Sequence, residues 1–245
     1  MNELNIAGWT KLSTVDWPGN IVTTIFLQGC PWRCSYCHNY QILDPQIRGD
    51  VQFDTILEFL RSRVGLLDGV VFSGGEALMQ SGENGALLDS VKEILAIDSA
   101  SFIKDTAAYK IGLHTAGAYP NNLKRLLPYL DWIGFDVKAP VGLYDAITKT
   151  SASEVVARKS LNLVLAERER RKNTNRPLGV QFRTTVDPFV LDDSAISRLK
   201  EELSAKGIDD LMLQEVRSEG ARQEYADALA KIQDAQAVRV SSSVI

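Results

Sequence analysis

Cys30, Cys34 and Cys37 are the three cysteines of this chain, and they sit with His38 in one short stretch, Gly29 to Asn39, GCPWRCSYCHN. Three kinds of site suit such a set. Cys34-Ser-Tyr-Cys37-His38 has the spacing of a covalently attached c-type haem, three thiols and an imidazole can close a zinc site, and three thiolates can hold an iron–sulfur cluster. The haem reading leaves Cys30 unused and requires an exported chain. The N-terminal stretch MNELNIAGWTKLSTVDWPGN shows no basic leader followed by an apolar run, and no apolar run approaches the roughly 18 residues of a membrane span. A cytoplasmic location is therefore expected, where disulfides are disfavoured, and an odd cysteine count argues against them again. Zinc would need Cys37 and His38, adjacent in the chain, to bind one tetrahedral ion, and the usual distant second ligand pair is missing. A four-iron cluster ordinarily takes four thiolates, so three would leave one iron open.

A second candidate group is Ser73-Gly74-Gly75-Glu76. Paired glycines let a ligand approach the backbone closely, and the carboxylate beside them can accept hydrogen bonds from an ammonium. Taken alone, Gly-Gly at a strand end is most often a turn. Asp136 and Lys138 are two apart on an expected strand, so they share a side, the inner one if Phe135 and Val137 face helices. An internal ion pair and a ligand contact both fit them. Arg183 alternates with Gln181 and Thr185, which makes it another inward side chain, suited to a structural strut or to a polar ligand.

These residues have to be positioned by elements, and the chain alternates short apolar runs with helical periods. Strands are expected at 21–29, 69–75, 110–117, 131–138, 178–186 and 209–216. Helices are expected after Asp54 as N-cap, with Ile56, Leu57, Leu60 and Val64 on one face and Gly65 ending it, and at 87–97, 121–129, 153–170 and 194–206. Six βα units are fewer than the eight of a closed TIM barrel, so the fold class is α/β, an open, partial (β/α)6 barrel of TIM type with parallel strands. The whole of 1–245 reads as a single domain, with the cysteine loop at 29–39 and a suggested insertion at 98–108. In such barrels catalytic groups gather at the C-terminal strand ends. Gln28, Ser73 to Glu76, His114, Thr115, Asp136, Lys138, Arg183, Thr185 and Gln214 all fall there. The run 167–172, ERERRK, reads as the solvated end of a helix. A formal charge of -4 and a pI near 5.3 argue against a general nucleic-acid binder and for a small-molecule or protein substrate.

With these motifs together, the sequence resembles the radical S-adenosylmethionine (SAM) superfamily. Cys30-Pro-Trp-Arg-Cys34-Ser-Tyr36-Cys37 matches its C-x3-C-x-aromatic-C motif, and SGGE at 73–76 its GGE motif. GWTKLSTVDWPG, FLQGCPWRCSYCHN, SGGEALMQ, IGLHTAGAYP, DWIGFDVKAP and QFRTTV are similar to segments of glycyl-radical-enzyme activating enzymes, most closely those that activate anaerobic ribonucleoside-triphosphate reductase. The resemblance implies one 4Fe-4S cluster on Cys30, Cys34 and Cys37, with SAM chelating the fourth iron. It implies reductive cleavage of SAM to methionine and a 5'-deoxyadenosyl radical, which abstracts hydrogen from a glycine of the partner enzyme. It places Ser73, Gly74, Gly75 and Glu76 at the methionyl amino group, and Tyr36 with the backbone of His38 and Asn39 at the adenine. It places Asp136 and Lys138, with Thr115 nearby and Arg183 as a further contact, at the carboxylate. The implied partners are a glycyl-radical enzyme and an electron donor such as flavodoxin or ferredoxin, with no nucleic acid and no membrane.

The chain departs from that pattern at Ala77, where a proline is common, and at His114. There, pyruvate formate-lyase activating enzymes carry an aspartate that helps bind a monovalent cation, so no cation site is expected here. Rival readings are activation of pyruvate formate-lyase or another glycyl-radical enzyme, a radical SAM enzyme acting on a small molecule such as a deazapurine-forming synthase, and a zinc-stabilised binding module.

Overall fold

The computed structural model describes residues 3–82, 85–97 and 108–242. One seven-stranded sheet runs in sequence order: β1 (Ile6–Ser13), β2 (Val22–Leu27), β3 (Gly69–Gly74), β4 (Lys110–Thr115), β5 (Trp132–Asp136), β6 (Gly179–Val186) and β7 (Met212–Glu215). Strands β2 to β7 are parallel, and β1 pairs antiparallel with β2. The helices are α1 (Phe53–Arg61), α2 (Ala86–Leu95), α3 (Pro120–Leu126), α4 (Tyr144–Thr148), α5 (Ser153–Arg171), α6 (Asp193–Ser204) and α7 (Gln223–Ser242). The six expected strands are all present, and the architecture is the partial barrel of TIM type.

The register separates two faces. Ile25 pairs with Phe72, Phe72 with Leu113, Leu113 with Ile133, and Phe135 with Phe182. These residues are fully buried in the main core with Ile56, Leu60, Leu87 and Ile94 from the helices. The intervening residues face the barrel interior, where a second small cluster, Trp17, Val22, Val71 and Trp132, forms an apolar plug. Trp17 comes from the loop between β1 and β2 and stacks on Trp132 with ring centroids 5.4 Å apart. Gly112 makes room for it, since a Cβ there would come within 2.9 Å of the Trp17 ring. Further along the strands the interior turns polar, and that change of layer builds the site.

Several expectations are corrected. β1 is an additional strand. Its middle is partly exposed and its pairing is interrupted twice, so no apolar alternation marks it. Asp54 does not cap α1: Gln52 occupies that position, and Asp54 lies in the first turn, where its charge complements the helix dipole. The helix stops at Arg61, ahead of Gly65, which takes a φ of 81 degrees in the turn that follows. Helices α4 and α7 are further additions. Within 167–172, Arg170 and Glu167 form an ion pair as a solvated helix end would, but Arg171 is buried, with Nη1 donating to the Leu130 carbonyl at 2.7 Å. Of the suggested insertion at 98–108, all but Ala108 lies outside the described residues. No helix among the described residues is long and apolar enough to cross a membrane.

Candidate active site

The cysteine loop leaves the end of β2 at Gly29 and is pinned through its own backbone. Gly29 N donates to Ile42 O at 2.8 Å, Cys30 N to Leu43 O at 3.1 Å, Arg33 N to Thr148 O at 2.9 Å and Ser35 N to Ile147 O at 3.2 Å. The Arg33 guanidinium folds back onto the loop, donating to the Cys30 and Trp32 carbonyls at 2.6 and 2.9 Å. Trp32 and Tyr36 are buried on the core side. Asn39 Nδ2 donates to the Gly74 carbonyl at 3.2 Å, which ties the loop's far end to β3. The loop is therefore held at a fixed height over the barrel mouth.

The glycines after β3 serve that contact. A Cβ on Gly75 would run into the Gly29 carbonyl and lie 3.2 Å from Cys30 Cβ, and Gly74 adopts a φ of 114 degrees against the backbone of Leu27. Glu76 is almost fully buried. Its Oε1 accepts from Thr115 Oγ1 at 2.7 Å and Leu78 N at 3.3 Å, and its Oε2 from Ala116 N at 3.1 Å. A carboxylate offers about four acceptor positions; three are engaged by these donors, and the Ala118 backbone acts on the carboxylate as well. Burial pushes the Glu76 carboxyl up, and the Thr115 hydroxyl and backbone donors oppose it.

Burial also pushes all three thiols up, Cys30 to about 12 with the Glu76 charge adding to the effect. Lys138 works against it at Cys34 and Cys37. A cation bound to the sulfurs would reverse this preference, because ligation takes the thiolate form.

Beneath the loop lies a row of inward polar side chains from four neighbouring strands or their ends. Arg183 on β6 donates through Nε to Asp136 Oδ1 at 2.9 Å, with Nη2 2.8 Å from the same oxygen, and Lys138 Nζ lies 3.4 Å from Asp136 Oδ2. Gly134 is the gap through which Arg183 passes, since a Cβ there would meet its Cζ at 2.9 Å. Burial pushes Asp136 up, but Arg183 and then Lys138 outweigh it and hold the carboxyl at about 2. Lys138 is the reverse case: burial opposes its charge, while Tyr36 and Asp136 keep its ammonium well above the ordinary range. His114 Nε2 lies 2.8 Å from the Asp16 carbonyl and its Nδ1 3.1 Å from Ser73 Oγ. A carbonyl can only accept, so the shorter contact, to Asp16, puts the proton on Nε2 and lets Ser73 donate to Nδ1, while Arg183 Nη1, itself a donor, stands 3.3 Å from the same Nε2. Burial and Arg183 lower His114 to about 4, which leaves it neutral. Asp136, Arg183 and Lys138 thus leave one positive charge over, on the lysine whose charge reaches Cys34 and Cys37.

Ser73, Gly74, Gly75, Glu76, His114, Thr115, Asp136, Lys138 and Arg183 therefore gather at one end of the barrel under the cysteine loop, whereas Gln28 is engaged with Asp44 and Gln80, and Gln214 lies on an exposed strand. Sequence reasoning missed Asp16, whose carbonyl orients His114 and whose carboxylate accepts from Thr24 Oγ1 at 2.7 Å, and Asp187, which supports the cysteine loop. The turn signal in DWPG marks the Asp16 segment as a loop, but nothing in it announces that the loop folds into the barrel. Arg183 is mainly engaged as a strut, and Ser73 as a partner of His114.

The donor set fits a cluster better than a single ion. Among the described residues no three His, Cys, Asp or Glu side chains converge closely enough to hold one metal ion. Tetrahedral zinc with Zn–S near 2.3 Å would bring its sulfurs to within about 3.8 Å of one another. Three thiols on a pinned loop that do not meet around one ion suit a larger inorganic core. Tyr36 is buried, with Lys138 Nζ 5.6 Å from its ring centre and acting on its hydroxyl.

Comparison with known proteins agrees with this arrangement. The Radical SAM superfamily sequence model matches residues 24–164, more than half of the chain. A protein of Methanocaldococcus jannaschii named as a glycyl-radical enzyme activating enzyme is 27% identical over 232 residues, covering 93% of this chain and 85% of its own length. The pyruvate formate-lyase-activating enzymes of Clostridium pasteurianum and Escherichia coli K12 are 32% and 30% identical over 52% and 51% of this chain, and these matches span about half of their lengths. Among solved structures, anSMEcpe with bound AdoMet superposes with a TM-score of 0.55 at 14% identity, covering 78% of this chain and 48% of that one. That likeness is one of fold.

Proposed function

Because the chain belongs to the Radical SAM superfamily, we propose that it is an activating enzyme which forms a glycyl radical on a partner protein, with anaerobic ribonucleoside-triphosphate reductase as the favoured partner. The superfamily uses a 4Fe-4S cluster and SAM, whose reductive cleavage supplies the hydrogen-abstracting radical. The observation that carries the reading is the packing of a three-thiol loop, in a chain with no fourth cysteine, directly on the Gly74–Glu76 turn, with the Lys138 ammonium close enough to act on Cys34 and Cys37.

In this proposal Cys30, Cys34 and Cys37 hold three irons. Gly74, Gly75 and the Glu76 carboxylate receive the methionyl amino group, and Ser73 shapes that edge through His114. Lys138 pairs with the methionyl carboxylate, and Asp136, Arg183 and Thr115 position the groups around it. Tyr36 and the backbone of His38 and Asn39 line the adenine. All of these contacts come from one chain read as one domain, and the electron comes from a flavodoxin or ferredoxin.

The likeness to the Methanocaldococcus jannaschii protein over 85% of its length supports a protein substrate, and the His114 departure together with the resemblance of 181–186 favours the reductase. Pyruvate formate-lyase is the second partner to consider, on the strength of the matches to its activating enzymes. The two readings separate when reconstituted protein, SAM and reductant are mixed with each partner in turn under anaerobic conditions. A glycyl doublet in electron paramagnetic resonance on the reductase alone supports the proposal. A doublet on pyruvate formate-lyase alone transfers the assignment, and SAM cleavage with no doublet on either rejects the named partners.

A further inference from the structure

Asp187 lies one residue past β6, fully buried, and three donors converge on its carboxylate. Oδ2 accepts from Ser35 Oγ at 2.6 Å, while Oδ1 accepts from the Tyr225 hydroxyl at 2.9 Å and from Phe189 N at 3.1 Å. Its own carbonyl accepts from Val190 N and Leu191 N at 3.0 and 2.8 Å, so the carboxylate stands on a fixed turn. Ser35 belongs to the cysteine loop and follows Cys34 directly. Tyr225 belongs to the first turn of α7, and its ring meets Phe189 edge-on at 5.3 Å. One buried acid thus joins a loop residue 152 positions upstream to a helix residue 38 positions downstream.

The same C-terminal segment touches the loop region at two more places. Gly220, at a φ of 73 degrees, presses so closely on His38 that a Cβ would run into its carbonyl oxygen. The Arg222 guanidinium lies over the Tyr40 ring at 5.6 Å. The segment before α7 therefore runs across the loop's far end, while Tyr225 and Asp187 grip its middle.

We propose that Asp187 is a positioning residue for the cysteine loop, coupling α7 to the Cys34–Cys37 segment through Tyr225 and Ser35. The helix then governs how firmly the loop keeps what its thiols bind. This rests on the cluster reading for its consequence, but the coupling itself is a property of the metal-free chain. Each hydroxyl reaches the other only through the shared carboxylate, so loss of either one breaks this link at Ser35, while the Gly220 and Arg222 contacts at the loop's far end remain. Loss of the second then has little left to release.

The test compares Ser35→Ala, Tyr225→Phe and the double variant in the full chain. One readout is iron release from reconstituted protein to a ferrous chelator, and the other is amide hydrogen exchange across residues 30–39 of the metal-free protein. Each single variant is expected to raise both by about three- to tenfold, the size one hydrogen bond sets. The double variant should match the faster single one, because the two act in series. Unchanged exchange in Tyr225→Phe overturns the proposal, and so does a double variant whose effects multiply, since that is the behaviour of two independent structural contacts. If wild-type protein retains no iron and sulfide, the cluster reading fails, and the exchange data alone decide the coupling.

Discussion

Replacing His114 with glutamine should remove a specific part of the protein's acid sensitivity. His114 is held neutral, near 4, by burial and by Arg183, against an ordinary value of 6.5. Between those values the unfolded chain binds a proton at this position and the folded chain does not, so stability is lost as pH falls from 6.5 towards 4. A displacement of that size corresponds to about 3 kcal/mol when complete, of which about 2 kcal/mol has gone by pH 5. Glutamine can donate to Asp16 O and accept from Ser73, but it does not titrate. Urea unfolding of metal-free wild-type and His114→Gln proteins at about pH 7 and about pH 5 measures the difference. Other titrating groups, including His38, whose pKa is also lowered first by burial, act in both proteins and drop out of the comparison. The wild type should lose about 2 kcal/mol more than the variant over that interval. Equal losses in the two proteins would refute the buried, neutral assignment of His114.

Three further outcomes follow from the packing. Gly75→Ala places a Cβ against Gly29 O and Cys30, so it should cost about 1–3 kcal/mol and lower the iron retained after reconstitution, read by unfolding and by metal analysis. Thr115→Val removes the shortest bond to buried Glu76 and should destabilise by about 1–3 kcal/mol, measured by thermal or urea unfolding. Arg183→Met leaves Asp136 with Lys138 as its remaining ion-pair partner and should cost about 2–4 kcal/mol. Adding Asp136→Asn should then cost less than it does in the wild-type background, as a double-mutant cycle on unfolding will report.

The sequence shows the fold where burial is two-sided. The runs GVVFSGG and IVTTIFLQG stand out because both faces of β3 and β2 are covered, and each run ends at a glycine that opens the site. Period-two alternation likewise exposes Asp136 and Lys138 as same-side neighbours, and the structure pairs them at 3.4 Å. β1 escapes that logic because an edge strand with an exposed middle needs no apolar pattern. The partners of the site residues escape it for another reason. His114 is oriented by a carbonyl 98 positions away, and the cysteine loop by an acid 152 positions away, distances over which local spacing carries no information. The glycines illustrate the difference between type and role: Gly74 and Gly75 suggest room for a ligand, yet in the fold they are first of all the contact surface for β2 and the cysteine loop.

The most direct test of the central claim is anaerobic reconstitution of wild type and Cys34→Ala, followed by iron and sulfide analysis and by assay of 5'-deoxyadenosine formed from SAM under reductant. Wild type should hold about four irons and four sulfides per chain and form 5'-deoxyadenosine, while Cys34→Ala, left with two thiolates, should do neither. A Cys34→Ala protein that keeps the cluster and cleaves SAM would contradict the account, as would a wild-type chain that takes up zinc in place of iron.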